Sequence, residues 1–307
     1  MAAESIPALL RAHGLRPRKG LGQNFLVDPV AQARIVEAAD LSPDDAVVEV
    51  GAGLGSLTQL LAARAGQVVA VELDDALAQI LRQQVAGLPN VQVVQGDVLR
   101  MADFGFSHLG YKMVGNLPYY ITSAVLRHFL AESPRPRLVV VTVQREVAER
   151  IVARPGDMSL LAVSIQLYGE PEIVARIPAG AFYPPPQVDS AVVRVAVGER
   201  LAVELGEGVT EQEFFRAVRA GFGQKRKTLR NSLKAGLALP AAEVEAALER
   251  AGVNPSRRAE TLSLQEWAAV TNACSRASSA AACSRRRSRP RSSSQGLRTR
   301  RPPSRCV

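Results

Sequence analysis

The sequence predicts an α/β fold, a largely parallel sheet with helices on both faces, followed by a small C-terminal helical domain. Three observations predict it. Valine-rich apolar runs alternate with helix-period stretches between residues 46 and 143, the pattern of strands joined by crossover helices. A glycine-rich turn, Glu49-Val-Gly-Ala-Gly-Leu-Gly55, follows the first of these runs, where a strand hands over to a helix. From about Arg200 the strand pattern stops and helix-capping signals replace it.

Residues 46–50 (Ala-Val-Val-Glu-Val) read as a buried strand, Ser56 to Arg64 as a helix and Gln67 to Glu72 as a second strand. A helix over Asp75 to Ala86, strands Val91 to Gln95 and Tyr111 to Gly115, a helix near Ile121 to Ala131 and a strand Arg137 to Val143 continue the alternation. Gln144 to Ala153 reads as a helix, as does the apolar stretch Ser159 to Tyr168. Two further strands, Glu172 to Ile177 and Ser190 to Val197, flank a loop from Ala179 to Asp189 that holds three successive prolines. Such a loop is expected to be a rigid wall or a ligand rim and not part of a ladder. Thr210 with Glu213, before Phe214 and Phe215, and Ser263 with Glu266, before Trp267, are capping boxes. These signals divide the chain into a catalytic domain with a basic N-terminal segment (1–199), a helical domain (200–271) and an Arg/Ser-rich tail (272–307) with no apolar periodicity, expected to be disordered.

The 307 residues, 47% of them apolar, suffice for one large domain and a smaller one. No apolar run approaches the roughly 18 residues of a membrane span and the start lacks a secretory core, so a soluble cytoplasmic protein is expected. The formal charge of +9 points to an acidic partner. It belongs to the tail, which carries ten arginines and no acid from Asn272 to Val307 and leaves the rest of the chain at −1. All three cysteines (Cys274, Cys283, Cys306) fall in that tail at spacings that match no zinc pattern, and the cysteine-free body suits a reducing compartment. His13, His108 and His128 are too scattered for a metal set or a triad and read as structural.

Gly51, Gly53 and Gly55 occupy the first strand-to-helix turn, where missing side chains let backbone N–H groups approach a ligand. Ser56 stands where a dinucleotide fingerprint needs its third glycine. The spacing G-x-G-x-G behind an acid, Glu49, is instead the pattern of S-adenosylmethionine enzymes, which makes the expected sheet a Rossmann-like methyltransferase sheet. By itself a glycine triplet is equally a tight turn. Glu72, at the end of the second strand, can accept both ribose hydroxyls, and Asp97, after the third, can hold the cofactor's adenine amino group. Either acid alone could be a solvated strand end, but both lie at carboxyl ends of adjacent strands.

The tetrad Asn116-Leu117-Pro118-Tyr119 ends another strand. Adenine N6 is a poor nucleophile because its lone pair is delocalised into the ring. Two acceptors on its N–H bonds favour a tetrahedral nitrogen and free that lone pair. The Asn116 side-chain oxygen and the Leu117 carbonyl are the candidate acceptors, aimed by the restricted turn at Pro118. No metal and no strong base is required. Tyr119 would stack on the flipped base. Phe182 is the candidate for the opposite face, with packing against the proline loop as the alternative, and Tyr120 reads as structural.

With these residues the chain resembles the ribosomal RNA small-subunit adenine N6,N6-dimethyltransferases of the bacterial KsgA/RsmA type. The likeness runs through Lys19-Gly-Leu-Gly-Gln-Asn-Phe-Leu-Val-Asp28, the glycine turn, the tetrad, Phe182 to Val193, Arg226-Lys-Thr-Leu-Arg-Asn-Ser-Leu233 and Arg258-Ala-Glu-Thr-Leu262. It implies dimethylation of two adjacent adenines in the loop of the 3′-terminal helix of 16S rRNA, on an immature 30S subunit, with S-adenosylmethionine as donor. It also implies that Asn24, Leu26, Gly51, Glu72, Asp97 and Asn116 line the cofactor site; for Asn24 and Leu26 the resemblance is the whole basis. Tyr120 replaces the smaller polar residue of many relatives, and the arginine-rich tail departs from the family. That tail is either an RNA-grasping extension or a reading frame translated past a frameshift; catalysis should not need it.

RNA contact is expected from Arg226, Arg230 and Lys234, spaced four apart with Lys225 and Lys227 beside them, while Leu229, Leu233 and Leu237 form a packing stripe. A solvated charged face is the plainer reading of such a run. Arg16, Arg18 and Lys19 are candidates for phosphate contacts near the cofactor mouth. A monomer is expected. The nearest alternative is a 23S rRNA adenine methyltransferase of the antibiotic-resistance type. A DNA adenine methyltransferase and a noncatalytic assembly or transcription factor on the same fold are the others.

Overall fold

The computed structural model describes residues 5–287 apart from 19, 21, 107–109 and 132–133, with side chains as far as residue 275. His108, Lys19 and the tail beyond residue 287 therefore lie outside the described residues.

Five parallel strands form the centre of the sheet: β2 (Ala46–Val50), β3 (Gln67–Glu72), β4 (Val91–Gln95), β5 (Lys112–Asn116) and β6 (Leu138–Gln144). Two antiparallel strands, β7 (Gly169–Ile177) and β9 (Ser190–Val197), complete a seven-stranded order β4-β3-β2-β5-β6-β9-β7. Runs of β-branched valine suit strands covered on both faces. Alternate residues split between the two faces. Val48, Val69, Met113 and Val139 pack with Leu126 and Ile165 on one side. Val47, Val68, Val114 and Val140 pack with Ile35 and Leu61 on the other. The strand order reverses between β2 and β5, which opens a crevice at their carboxyl ends.

The crossover helices are α3 (Ser56–Ala62), α4 (Asp75–Gln84), α5 (Thr122–Ala131), α6 (Arg145–Ile151) and α7 (Leu160–Gln166), so the apolar stretch Ser159 to Tyr168 holds a helix, as expected, capped by Ser159. Below the crevice, buried Lys112 pins the start of β5. It pairs with Asp45 at 3.0 Å and donates to the Ala39 carbonyl at 2.9 Å, the partners a buried ammonium needs.

Helices α8 (Glu211–Phe222), α9 (Leu229–Leu237), α10 (Ala241–Arg250) and α11 (Leu264–Arg287) form the C-terminal part, and both expected capping boxes are present. Phe214, Leu229, Leu233, Leu248 and Trp267 fill its core, which continues without a break into one face of the sheet.

The N-terminal segment, to which the sequence reading assigned no elements, contains α1 (Ile6–Ala12), β1 (Phe25–Leu26) and α2 (Pro29–Ala38), and α2 starts with the Asp28 carboxylate accepting from the Val30 and Ala31 N–H groups. Two features differ from the sequence expectations. The proline loop does join a ladder, because Phe182–Tyr183, as strand β8, pairs antiparallel with β1. Its prolines begin only at Pro184, so Phe182 and Tyr183 keep the N–H donors a ladder uses. Finally, α11 continues past residue 271. Asn272 accepts from the Gly206 N–H at 2.8 Å and Cys274 is buried, so the packed body includes one cysteine, its thiol pushed up to about 11 by burial.

Candidate functional site

The crevice is an open cleft of about 840 Å³, its mouth included, walled by the ends of β2, β3 and β5 and by residues 22–25. Gly51, Gly53 and Gly55 have φ of +74°, +59° and +86°, left-handed values that a side chain disfavours. A Cβ on Gly53 would come within 3.3 Å of the Phe25 ring, and one on Gly55 within 2.6 Å of Leu81. The turn thus keeps its backbone bare and close to the cleft.

Glu72 lies at the carboxyl end of β3, 7% exposed. Its two oxygens accept from the Gly53 N–H at 2.8 Å and the Asp74 N–H at 2.9 Å. Burial raises its pKa and the backbone N–H groups of Asp74 and Gly53 oppose that rise. One carboxylate therefore braces the glycine turn while its remaining lone pairs face the cleft. Asp97 caps the short turn of helix Val98–Arg100, accepting from the Leu99 N–H at 3.1 Å, and its half-exposed carboxylate lines the cleft.

Asn116 ends β5. Its side-chain nitrogen donates to the Asn24 carbonyl at 2.9 Å. A carbonyl can only accept, so this bond fixes the amide orientation and leaves the Asn116 oxygen as an acceptor. Leu117, Pro118 and Tyr119 follow along the cleft wall. The half-buried Tyr119 hydroxyl shares a hydrogen bond with Ser190 Oγ at 2.8 Å, and burial raises its pKa, so the ring is held in place as a neutral phenol. Glu49, whose pKa burial pushes up to about 8, sits inside β2 and does not line the cleft.

Most expected site residues thus converge: Asn24, Gly51, Glu72, Asp97, Asn116, Leu117, Pro118 and Tyr119 all line the cleft. Two do not. Leu26 packs in the core with Ile35 and Phe182, and its carbonyl accepts from Gln32 Nε2 at 2.8 Å. Phe182 is 3% exposed and shares the apolar cluster of Val114 and Val192, so its ring is packed and not offered to a base. The β1–β8 ladder draws both inward, since Leu26 is the register partner of Phe182.

The basic stripe is also corrected. Helix α9 begins at Leu229, which leaves Arg226 and Lys227 in the exposed loop before it and only Arg230 and Lys234 on the helix. Arg230 is paired with Glu245 of α10, while Lys234 is exposed. Near the cleft mouth Arg18 pairs with Asp74 at 2.9 Å, holding the N-terminal segment there. His13 ends α1 and His128 bonds the Met101 carbonyl at 2.9 Å, both structural positions.

Tyr120, Phe25 and Gln23 line the cleft without having been singled out for it, and Tyr120 is 60% exposed rather than packed. The Asp28-Pro29 cap was the available signal for α2 and for the segment that delivers Phe25. Among the described residues no group of three or more His, Cys, Asp or Glu side chains could hold a metal ion, and no helix is long and apolar enough to cross a membrane.

A bare glycine turn, a carboxylate at the next strand end and a second acid across the cleft fit S-adenosylmethionine. Comparison with known proteins agrees. The family model for ribosomal RNA adenine dimethylase matches residues 14–275. A ribosomal RNA small subunit methyltransferase A of Dehalococcoides mccartyi is 49% identical over 87% of this chain and 94% of that protein. One from Pelotomaculum thermopropionicum is 46% identical over 86% and 93%. Among solved structures, the 23S rRNA methyltransferase ErmE aligns with a TM-score of 0.66 at 33% identity, over 82% of this chain and all of that one. A dimethyladenosine transferase from Plasmodium falciparum aligns at 0.69 and 25%, over 80% and 95%. The identity to small-subunit enzymes exceeds that to the 23S enzyme, and the family match extends to residue 275, so it includes the buried Cys274. With the tetrad, the glycine turn and the strand-end acids in one cleft, the chain belongs to the ribosomal RNA adenine dimethylase family of methyltransferases.

Proposed function

We propose that this chain dimethylates N6 of two adjacent adenines in the loop of the 3′-terminal helix of 16S rRNA, acting as a cytoplasmic monomer on the immature 30S subunit. The observation that carries this reading is the hydrogen bond from the Asn116 amide to the Asn24 carbonyl, because it turns the Asn116 oxygen into a fixed acceptor at the end of β5. Glu72 would take the ribose hydroxyls and Asp97 the cofactor's adenine amino group, while the turn at Gly51 and Gly53, bare of side chains, would let the rest of S-adenosylmethionine lie against the backbone. When bound, that cofactor supplies an electrophilic sulfonium methyl group.

In the first transfer the Asn116 oxygen and the Leu117 carbonyl accept hydrogen bonds from the two N6–H groups of the substrate adenine and favour a tetrahedral nitrogen; in the second, the one remaining N6–H group keeps one of these acceptors. So held, the N6 lone pair would be free to take the methyl group that bound S-adenosylmethionine would supply, and the N6 proton displaced by the new N–C bond would leave to water. Tyr119, held by Ser190, supplies the stacking face. Arg226, Lys227 and Lys234 contact phosphates, with Arg230 doing so only by exchanging its partner Glu245.

Transfer of labelled methyl from S-adenosylmethionine to unmethylated 30S subunits, 50S subunits and duplex DNA, followed by nucleoside analysis, tests the reading. Dimethyladenosine on 30S alone, lost in Asn116→Ala, is the expected result. Label on 50S would move the substrate to 23S rRNA. Binding without label on any substrate would make the chain an assembly factor.

A further inference from the structure

Tyr120 is the one rim residue of the cleft that combines a large ring with an open face. It is 60% exposed, while its neighbour Tyr119 is half-buried and tied to Ser190. One edge of the Tyr120 ring rests on Gly22: a Cβ there would meet Cδ1 and Cε1 at 3.3 Å, with Pro118 at 3.4 Å. Gly22 has φ of +61°, so the backbone turn beneath the ring suits a residue without a side chain. Among the described residues no other aromatic ring pairs with Tyr120 and its hydroxyl has no hydrogen-bond partner. The ring is therefore held along one edge and, at 60% exposure, largely open to solvent.

A base entering this cleft must leave its stack, at a cost of a few kcal/mol, and its departure strips the adjacent nucleotide of a stacking partner. An exposed aromatic at the mouth, beside the residue that receives the flipped base, can replace the lost partner at either purine or pyrimidine, because every base has a π-face. We propose that Tyr120 is a substrate-positioning residue that stacks on the nucleotide next to the flipped adenine. This inference rests on the proposed methylation of RNA, and it places the two consecutive tyrosines on two consecutive nucleotides: Tyr119 on the target, Tyr120 on its neighbour.

The test is steady-state methylation of unmethylated 30S subunits by the full chain and by Tyr120→Ala, Tyr120→Leu and Tyr120→Phe, with S-adenosylmethionine affinity measured separately by calorimetry. Loss of one stacked base raises the KM for 30S by about 5- to 150-fold in Tyr120→Ala and Tyr120→Leu. The expected pattern is that rise with kcat and cofactor affinity little changed, and recovery of KM in Tyr120→Phe, which keeps the ring. Leucine separates stacking from simple apolar cover. The inference is overturned if all three variants match the parent, if Tyr120→Leu matches Tyr120→Phe, or if cofactor affinity falls in step with KM, which would make Tyr120 a wall of the cofactor site. A parent chain that leaves 30S unmethylated would instead overturn the proposed function, and the inference with it.

Discussion

The side-chain amide of Asn116 donates to the main-chain carbonyl of Asn24 across 2.9 Å, joining the end of β5 to a segment 92 residues earlier in the chain. This bond decides which atom of the Asn116 amide is left as an acceptor. Asn116→Ala is expected to slow methyl transfer by about 10²- to 10³-fold, the cost typical of removing one group that stabilises a transition state. Single-turnover rates at saturating cofactor check this. Asn116→Asp should fare no better, because a carboxylate oxygen would face the Asn24 carbonyl without a proton between them.

Glu49 couples stability to pH. Its folded pKa of about 8 stands above the ordinary value of 4.5 because burial penalises the charged carboxylate. A group raised in the folded state stabilises fully below its unfolded pKa, and that stability is lost as pH rises through the folded value. The window is therefore about pH 4.5 to 8, and the full difference is on the order of 5 kcal/mol. Thermal melting from pH 5 to 9 should show the parent losing stability relative to Glu49→Gln, whose side chain does not ionise. Parallel melting curves for the two proteins across that range would refute the assignment.

Phe182 behaves as a core residue, 3% exposed. Phe182→Ala is expected to destabilise by about 3–5 kcal/mol, through lost burial and the cavity left behind. Phe182→Leu, which keeps most of the volume, should retain methyl transfer. Denaturant unfolding alongside activity separates the roles: a Leu variant as stable as the parent but inactive would return the ring to the substrate.

The tail is tested by truncation. A chain ending at Ser275 keeps the buried Cys274 and the whole span matched by the family model, so its kcat on 30S should equal that of the full chain. Nine of the ten tail arginines lie beyond residue 276 and all ten beyond 275. Removing them should make the KM for 30S less dependent on salt, since fewer counterions are displaced on binding. A fall in kcat would show that the tail takes part in the reaction itself.

Strands and helices of the sheet were legible because their signals are local. Valine runs at 46–50, 67–72 and 138–143 need only their own neighbours to declare a buried strand, and Thr210 with Glu213 declares a helix start within four residues. Gly51, Gly53, Glu72, Asp97 and Asn116 were legible as a site for a related reason: in a sheet of this order the carboxyl ends of neighbouring strands meet, so acids and glycines at those ends share one crevice. The short elements were not. Two-residue strands such as Phe25–Leu26 and Phe182–Tyr183 are too brief for any periodicity, and each exists because the other is there to accept its hydrogen bonds.

By itself, then, the sequence determined the order of the central sheet's strands and crossover helices, the helical C-terminal part and the membership of most of the cleft. The tertiary structure alone decided that Phe182 and Leu26 turn into the core, that Tyr120 turns out to solvent, that Arg230 is paired with Glu245 and that the Asn116 oxygen, not its nitrogen, is left facing the cleft. The reason is physical. Periodicity and capping are set by residues within a turn of one another, whereas the side a ring faces and the orientation of an amide depend on partners brought close only when distant segments pack.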